Sequence, residues 1–144
     1  MRTFRDNGRD GLSFLGQQRN KYVPIKEDIE LNVGTDDEVV HERKMMKAAR
    51  SNFTFDHSPP RVVGWNEQRF YREEIRNYKA KAIRMEVRHR ISGHIELVAE
   101  AAKLHDYRTV EFTFDVKPRS KFSWEYNYTQ FFGRNAKQSR ISLK

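Results

Sequence analysis

The chain has 144 residues, with 28 Lys and Arg against 20 Asp and Glu, a formal net charge of +8 and a pI near 9.8. Only 37% of it is hydrophobic and 33% is charged, against ~45–50% and ~25% in ordinary globular domains, so a small core is expected and no apolar run approaches the roughly 18 residues of a membrane span. The lack of Cys excludes disulfides and thiolate metal sites, while 12% aromatic residues is too many for a disordered chain.

Residues 1–34 show no sustained periodicity and are punctuated by Gly8, Gly11, Gly16, Pro24 and Gly34. They read as an extended arm, and Asp6 and Asp10 argue against a transit peptide. Residues 35–144 read as a single small α+β region. In "TDDEVVHERKMMKAAR", Thr35 is placed as an N-cap and Glu38 closes a capping box. Asp36 and Asp37 sit at the positive end of the dipole, and Lys44, Lys47 and Arg50 at the negative end. This pattern predicts a helix over 36–50. Pro59 and Pro60 forbid helix in the next stretch, so 51–65 reads as a linker that delivers Trp65. In "NEQRFYREEIRNYKAKA", Asn66 can cap and Phe70, Glu74 and Tyr78 follow helical spacing, which predicts a second helix.

Ile83, Met85, Val87, His89 and Ile91 alternate with Arg84, Glu86, Arg88 and Arg90, predicting a strand over 82–91. A helix over 93–104 would follow; one long helix through 82–104 is the alternative, weakened by Gly93. Further on, Val110, Phe112, Phe114 and Val116 alternate, as do Phe122, Trp124, Tyr126 and Tyr128, with the turn "KPRS" between them. They predict a β-hairpin with aromatic cross-strand pairs. The expected fold class is α+β: an extended N-terminal arm, two or three helices, a C-terminal aromatic β-hairpin and no large independent core. The charge asymmetry is C-terminal, with seven Lys or Arg and one acid, Glu125, from Lys117 onward, leaving 21 basic and 19 acidic residues before it. Residues 133–144 read as a basic tail suited to an acidic surface.

No catalytic residue, metal site or cofactor is expected. The five His include His89, His94 and His105, whose spacing matches no common ligand pattern, and there is no Gly-rich phosphate loop. What stands out is the interleaving of cations with flat rings in "RFYREEIRNYKAKAIR" and "KPRSKFSWEYNYTQFFGRNAKQSR". That chemistry suits interface hot spots, where Arg and aromatic residues are enriched. It also suits RNA, whose phosphates the cations neutralise and whose bases stack on rings. The alternation equally places those rings on one face as a core. A binding role follows rather than an enzymatic one, with an RNA-binding assembly protein, such as a ribosomal or mitoribosomal component, as the alternative.

The stretch "VVGWNEQRF" (Val62, Val63, Gly64, Trp65, Glu67, Arg69, Phe70) resembles the apolar–Gly–Trp–acid–Arg signature of small microtubule inner proteins of cilia. The polar residue that commonly separates Gly and Trp in that signature is absent here. "AARSNFTFDHSPPRVVGW" followed by "YREEIRNYKAK" is similar, with a gap, to a second such family; the resemblance covers residues 48–81 only. It implies a coreless structural subunit threaded along an acidic tubulin lattice beside neighbouring subunits. Its location would be cytoplasmic, in the cytoskeleton of a cilium or flagellum axoneme rather than the mitochondrion. The residues expected to bind the partner are Gly64, Trp65, Arg69, Phe70, Tyr71 and Tyr78, then Trp124, Tyr126, Tyr128, Arg134, Lys137 and Arg140. Gly64 would let the backbone approach a surface, Trp65 would fill a pocket, and Arg69 would pair with an acid. No membrane span and no small-molecule substrate are inferred.

Overall fold

A computed structural model describes residues 2–6, 12–17 and 34–144; the remainder of the N-terminal arm lies outside the described residues. The chain divides into two units, Met1–Asp37 and Glu38–Lys144. In the first, β1 (Arg2–Asp6) and β2 (Leu12–Gln17) form an antiparallel ladder from Arg2 opposite Gln17 to Asp6 opposite Leu12.

The second unit is built from strands, and among the described residues there is no helix. Its strands are β3 (Val39–His57), β4 (Pro60–Asn77), β5 (Ile83–Arg90), β6 (His94–Val98), β7 (Ala102–Asp106), β8 (Thr109–Val116), β9 (Ser120–Gly133) and β10 (Ile141–Leu143). One sheet has the order β10-β6-β9-β4-β3, the other β5-β8-β7. All pairings are antiparallel except that of β10 with β6.

The α+β expectation is therefore overturned. The helix expected over 36–50 is β3, and the second helix is β4; the linker expected at 51–65 lies within this hairpin. The ladder runs from Val39 opposite Asn77 to His57 opposite Pro60, and turns at Ser58-Pro59, whose peptide bond is cis. The physical reason lies in what β4 turns inward. Glu67, Arg69, Tyr71, Glu73, Ile75 and Asn77 occupy one face, and Gln68, Phe70, Arg72, Glu74 and Arg76 the other. Period two is present, but four of the six inward residues are polar or charged, so hydrophobic alternation does not reveal it. Glu73 and Asn77 are fully buried nonetheless. Asn77 has partners for both ends of its amide: Nδ2 donates to the carbonyls of Lys81 (2.9 Å) and Lys117 (3.0 Å), and Oδ1 accepts from the Lys79 N–H (3.0 Å).

The strand expected over 82–91 is present as β5. The helix expected over 93–104 is instead β6 and β7 joined by a turn. The two aromatic strands near the C-terminus also exist, but they do not pair with each other. β8 pairs with β5 and β7, whereas β9 pairs with β4 and β6. Their rings meet across the two layers: Phe112 on Tyr126 at 5.0 Å, Phe114 on Phe122 at 4.6 Å and Phe114 on Trp124 at 4.7 Å between centroids. Around them Ile75, Ile95, Leu97 and Val110 are completely buried, so the chain does possess its own core. The expected basic tail is partly structural: Ile141 is buried in β10, and the Lys144 ammonium pairs with Glu96 at 2.5 Å. No helix among the described residues is long and apolar enough to cross a membrane.

Candidate partner-binding surface

β3 is a sheet edge. Along its 19 residues nearly every position is exposed, and no described strand pairs with its outer side. An unpaired row of backbone N–H and C=O groups is a template for another strand. Apolar side chains are exposed on the same hairpin: Met45, Met46, Phe53, Phe55 and Val62, with Phe53 and Phe55 at 48% and 55%. The hairpin end is held from behind by Asn135. Its Nδ2 donates to the Asn52 carbonyl (2.7 Å) and to Asn66 Oδ1 (2.8 Å), while its Oδ1 accepts from Thr54 Oγ1 (2.6 Å). These bonds brace a ladder irregularity between Ser51 and Thr54, where Asn52 takes φ +50°. Arg61 and Arg134 both approach the single carboxylate of Asp56, at 3.7 and 3.4 Å, leaving an excess of positive charge there.

The residues expected to touch a partner fall into different places. Gly64 is buried opposite Gly133. A Cβ on Gly64 would lie 2.8 Å from Asn135 Oδ1, so its small size serves the interior. Trp65 is half-buried, stacked on Phe132 at 5.1 Å with the Arg50 guanidinium over its ring at 5.6 Å. Arg69 pairs internally with Glu67 and Tyr128. Tyr71 stacks between Tyr126 and Tyr128, which are core residues at 3% exposure each and have no free face to offer. Trp124 is half-buried among Phe112, Phe114 and Phe122. Phe70 is half-buried, while Tyr78, Arg134, Lys137 and Arg140 are exposed. The surface is thus assembled from β3 and the hairpin end, which the sequence pattern hid inside an expected helix and linker.

Glu67 ties the hairpin together. Its carboxylate accepts from Arg50 Nε (2.9 Å) and Arg69 Nε (2.6 Å). Those hydrogen bonds, Arg50 first, hold its carboxyl below the ordinary value of 4.5 against the opposing effect of burial. A depressed folded pKa gives stability that is complete above the ordinary value and lost as pH falls through the folded one. Glu67→Gln is expected to cost roughly 2 kcal/mol at neutral pH. In urea melts at successive pH values, the gap between wild type and variant should close as pH drops from about 5 to about 3.

Beneath the hairpin lies a cleft of about 860 Å³ lined by Met46, Phe70, Tyr71, Phe112, Trp124 and Tyr126, among others. Next to its rings sits a cluster that sequence spacing did not suggest: Glu73 from β4 with His41 from β3 and His89 from β5. His41 Nε2 lies 2.6 Å from Glu73 Oε2, and His89 Nε2 2.7 Å from Oε1. Tyr126 donates to Oε1 at 2.5 Å, and Arg43 Nε approaches it at 3.3 Å. Burial alone would raise the Glu73 carboxyl; the polar contacts from His89, Tyr126 and His41 outweigh it, so Glu73 is an anion. Burial and then Glu73 push the Tyr126 phenol far above its usual range. No protein-family model, no curated protein and no solved structure matches this chain.

Proposed function

We propose that the chain is a non-enzymatic subunit of a larger assembly and that the β3–β4 hairpin is the element that docks. The observation that carries this reading is the long, exposed edge of β3, which no other described strand pairs on its outer side and which carries Phe53 and Phe55 close to Val62. Strand addition along the edge supplies backbone hydrogen bonds, and the exposed rings supply anchors. The positive excess at Asp56, Arg61 and Arg134 favours an acidic partner. The acidic protein surface we propose is the microtubule lattice of a ciliary axoneme, which the "VVGW" resemblance names; the chain would then work in the cytoplasm, on the cytoskeleton. RNA binding has less support, because Lys144 of the basic C-terminus already pairs with Glu96 within the fold.

The test pairs microtubule co-pelleting with RNA filter binding, using wild type and a Phe53→Ser/Phe55→Ser double variant. Both rings are about half exposed, so the variant should melt within a degree or two of wild type. Its microtubule affinity should fall at least tenfold. No co-pelleting by the wild type would reject the microtubule lattice. RNA affinity that falls steeply with salt would replace the protein partner with a nucleic acid.

A further inference from the structure

We propose that His41, Glu73 and His89 form a binding site for one divalent transition-metal ion of the Zn²⁺ class. The donor atoms of these three residues all lie within 4.8 Å of one another. Two imidazoles and one carboxylate are a recurrent zinc donor set, which leaves a fourth position for water.

A second observation concerns the crowding of one oxygen. Glu73 Oε1 is approached by Tyr126 Oη at 2.5 Å, His89 Nε2 at 2.7 Å and Arg43 Nε at 3.3 Å. A carboxylate oxygen has two lone-pair directions, so three donors oversubscribe it. His89 Nε2 is the atom left out: it is buried and makes no aligned hydrogen bond. A cation between His89 Nε2, His41 Nε2 and the carboxylate would give that nitrogen and the crowded oxygen a shared partner.

The surroundings fit a metal centre with restrained affinity. Tyr126 fixes the carboxylate, Trp124 stacks on His41 at 6.0 Å, and the edge of Phe112 meets His89 at 6.3 Å, so the ligands are oriented by neighbours. Zinc–ligand bonds of ~2.0–2.1 Å place neighbouring donors about 3.3 Å apart, so the His–carboxylate contacts at 2.6 and 2.7 Å must lengthen by about 0.6–0.7 Å, while donors farther apart, up to 4.8 Å, must close. His41 can give way, because it lies on the exposed edge strand with its side chain 28% accessible; this is also the route of entry. Arg43 lies over the Tyr71 ring at 4.0 Å with its Nε 3.3 Å from Glu73, so its charge opposes a dication and weakens the binding. The ligands come from both sheets, β3 and β4 in one and β5 in the other, so the ion would staple the layers at the root of the hairpin.

The test uses the full chain stripped with chelator and titrated with Zn²⁺ and Co²⁺. One equivalent should bind, raise the melting temperature and give the visible absorption of low-coordinate Co²⁺. His41→Gln and His89→Gln should each weaken binding tenfold or more, while His94→Gln should leave it unchanged. His41→Gln carries the test if His89→Gln fails to fold. Binding that is equal in wild type and His41→Gln would overturn the site, as would no uptake by the wild type. These readouts are independent of partner docking, so either idea can fail alone.

Discussion

Replacing Phe112 by Ala is expected to lower the unfolding free energy by about 3–5 kcal/mol. Phe112 is completely buried on β8, and its ring meets Tyr126, Trp124, Phe114 and His89. Those neighbours come from both sheets and are themselves tied into ladders, so they cannot collapse into the space left behind. A domain of this size has roughly 5–15 kcal/mol in total, and the loss should be plain in a urea midpoint. It should be accompanied by a red shift in Trp124 fluorescence as water reaches the layer interface. The result also separates two pictures of the molecule. A coreless chain spread on a lattice would lose almost nothing from this substitution in isolation.

Gly133→Ala is expected to destabilise by roughly 2–5 kcal/mol, from left-handed backbone strain together with overpacking. Gly133 has φ +57°, and a Cβ there would lie 1.9 Å from the Val63 carbonyl oxygen and 3.0 Å from the Gly64 Cα. The obstacles are backbone atoms of the paired strand, so relief would have to separate β4 from β9. Gly34 also has positive φ, +103°, but nothing lies within 4 Å of an added carbon. Gly34→Ala therefore isolates the conformational part, and should move the urea midpoint far less. Equal effects at the two positions would show that the close approach of the strands at Gly64 and Gly133 does not matter.

Some of this architecture was legible in the residues. The alternation in β5, β8 and β9 is strict because their inward positions are aliphatic or aromatic, and it located those strands. β3 and β4 were misread because helical signals there are real at short range. Thr35 to Glu38 has the form of a capping box, and Glu, Lys, Arg, Met and Ala dominate the run that follows. Ladder pairing of β3 with β4 and of β4 with β9 decides the conformation instead, and local propensity carries no information about a partner strand so distant in sequence as β9. The same limit explains the aromatic pair β8 and β9. A four-residue turn suggested a hairpin, but the inward faces already carried all the rings, and the chain uses the turn to cross between layers. His41, Glu73 and His89 were invisible as a group because they sit on separate strands with no shared motif. Gly64 and Trp65 stand out in the sequence as candidates for a partner, whereas within the fold Gly64 lies opposite Gly133 and Trp65 stacks on Phe132.

The two borders of the larger sheet are very unequal. β3 offers 19 residues, whereas β10, at the opposite side, offers three. A second copy joined at β3 would find no matching berth on the far side from which to continue. Growth by repeated strand addition is therefore blocked after one step, and the molecule is shaped to terminate a row rather than to propagate one.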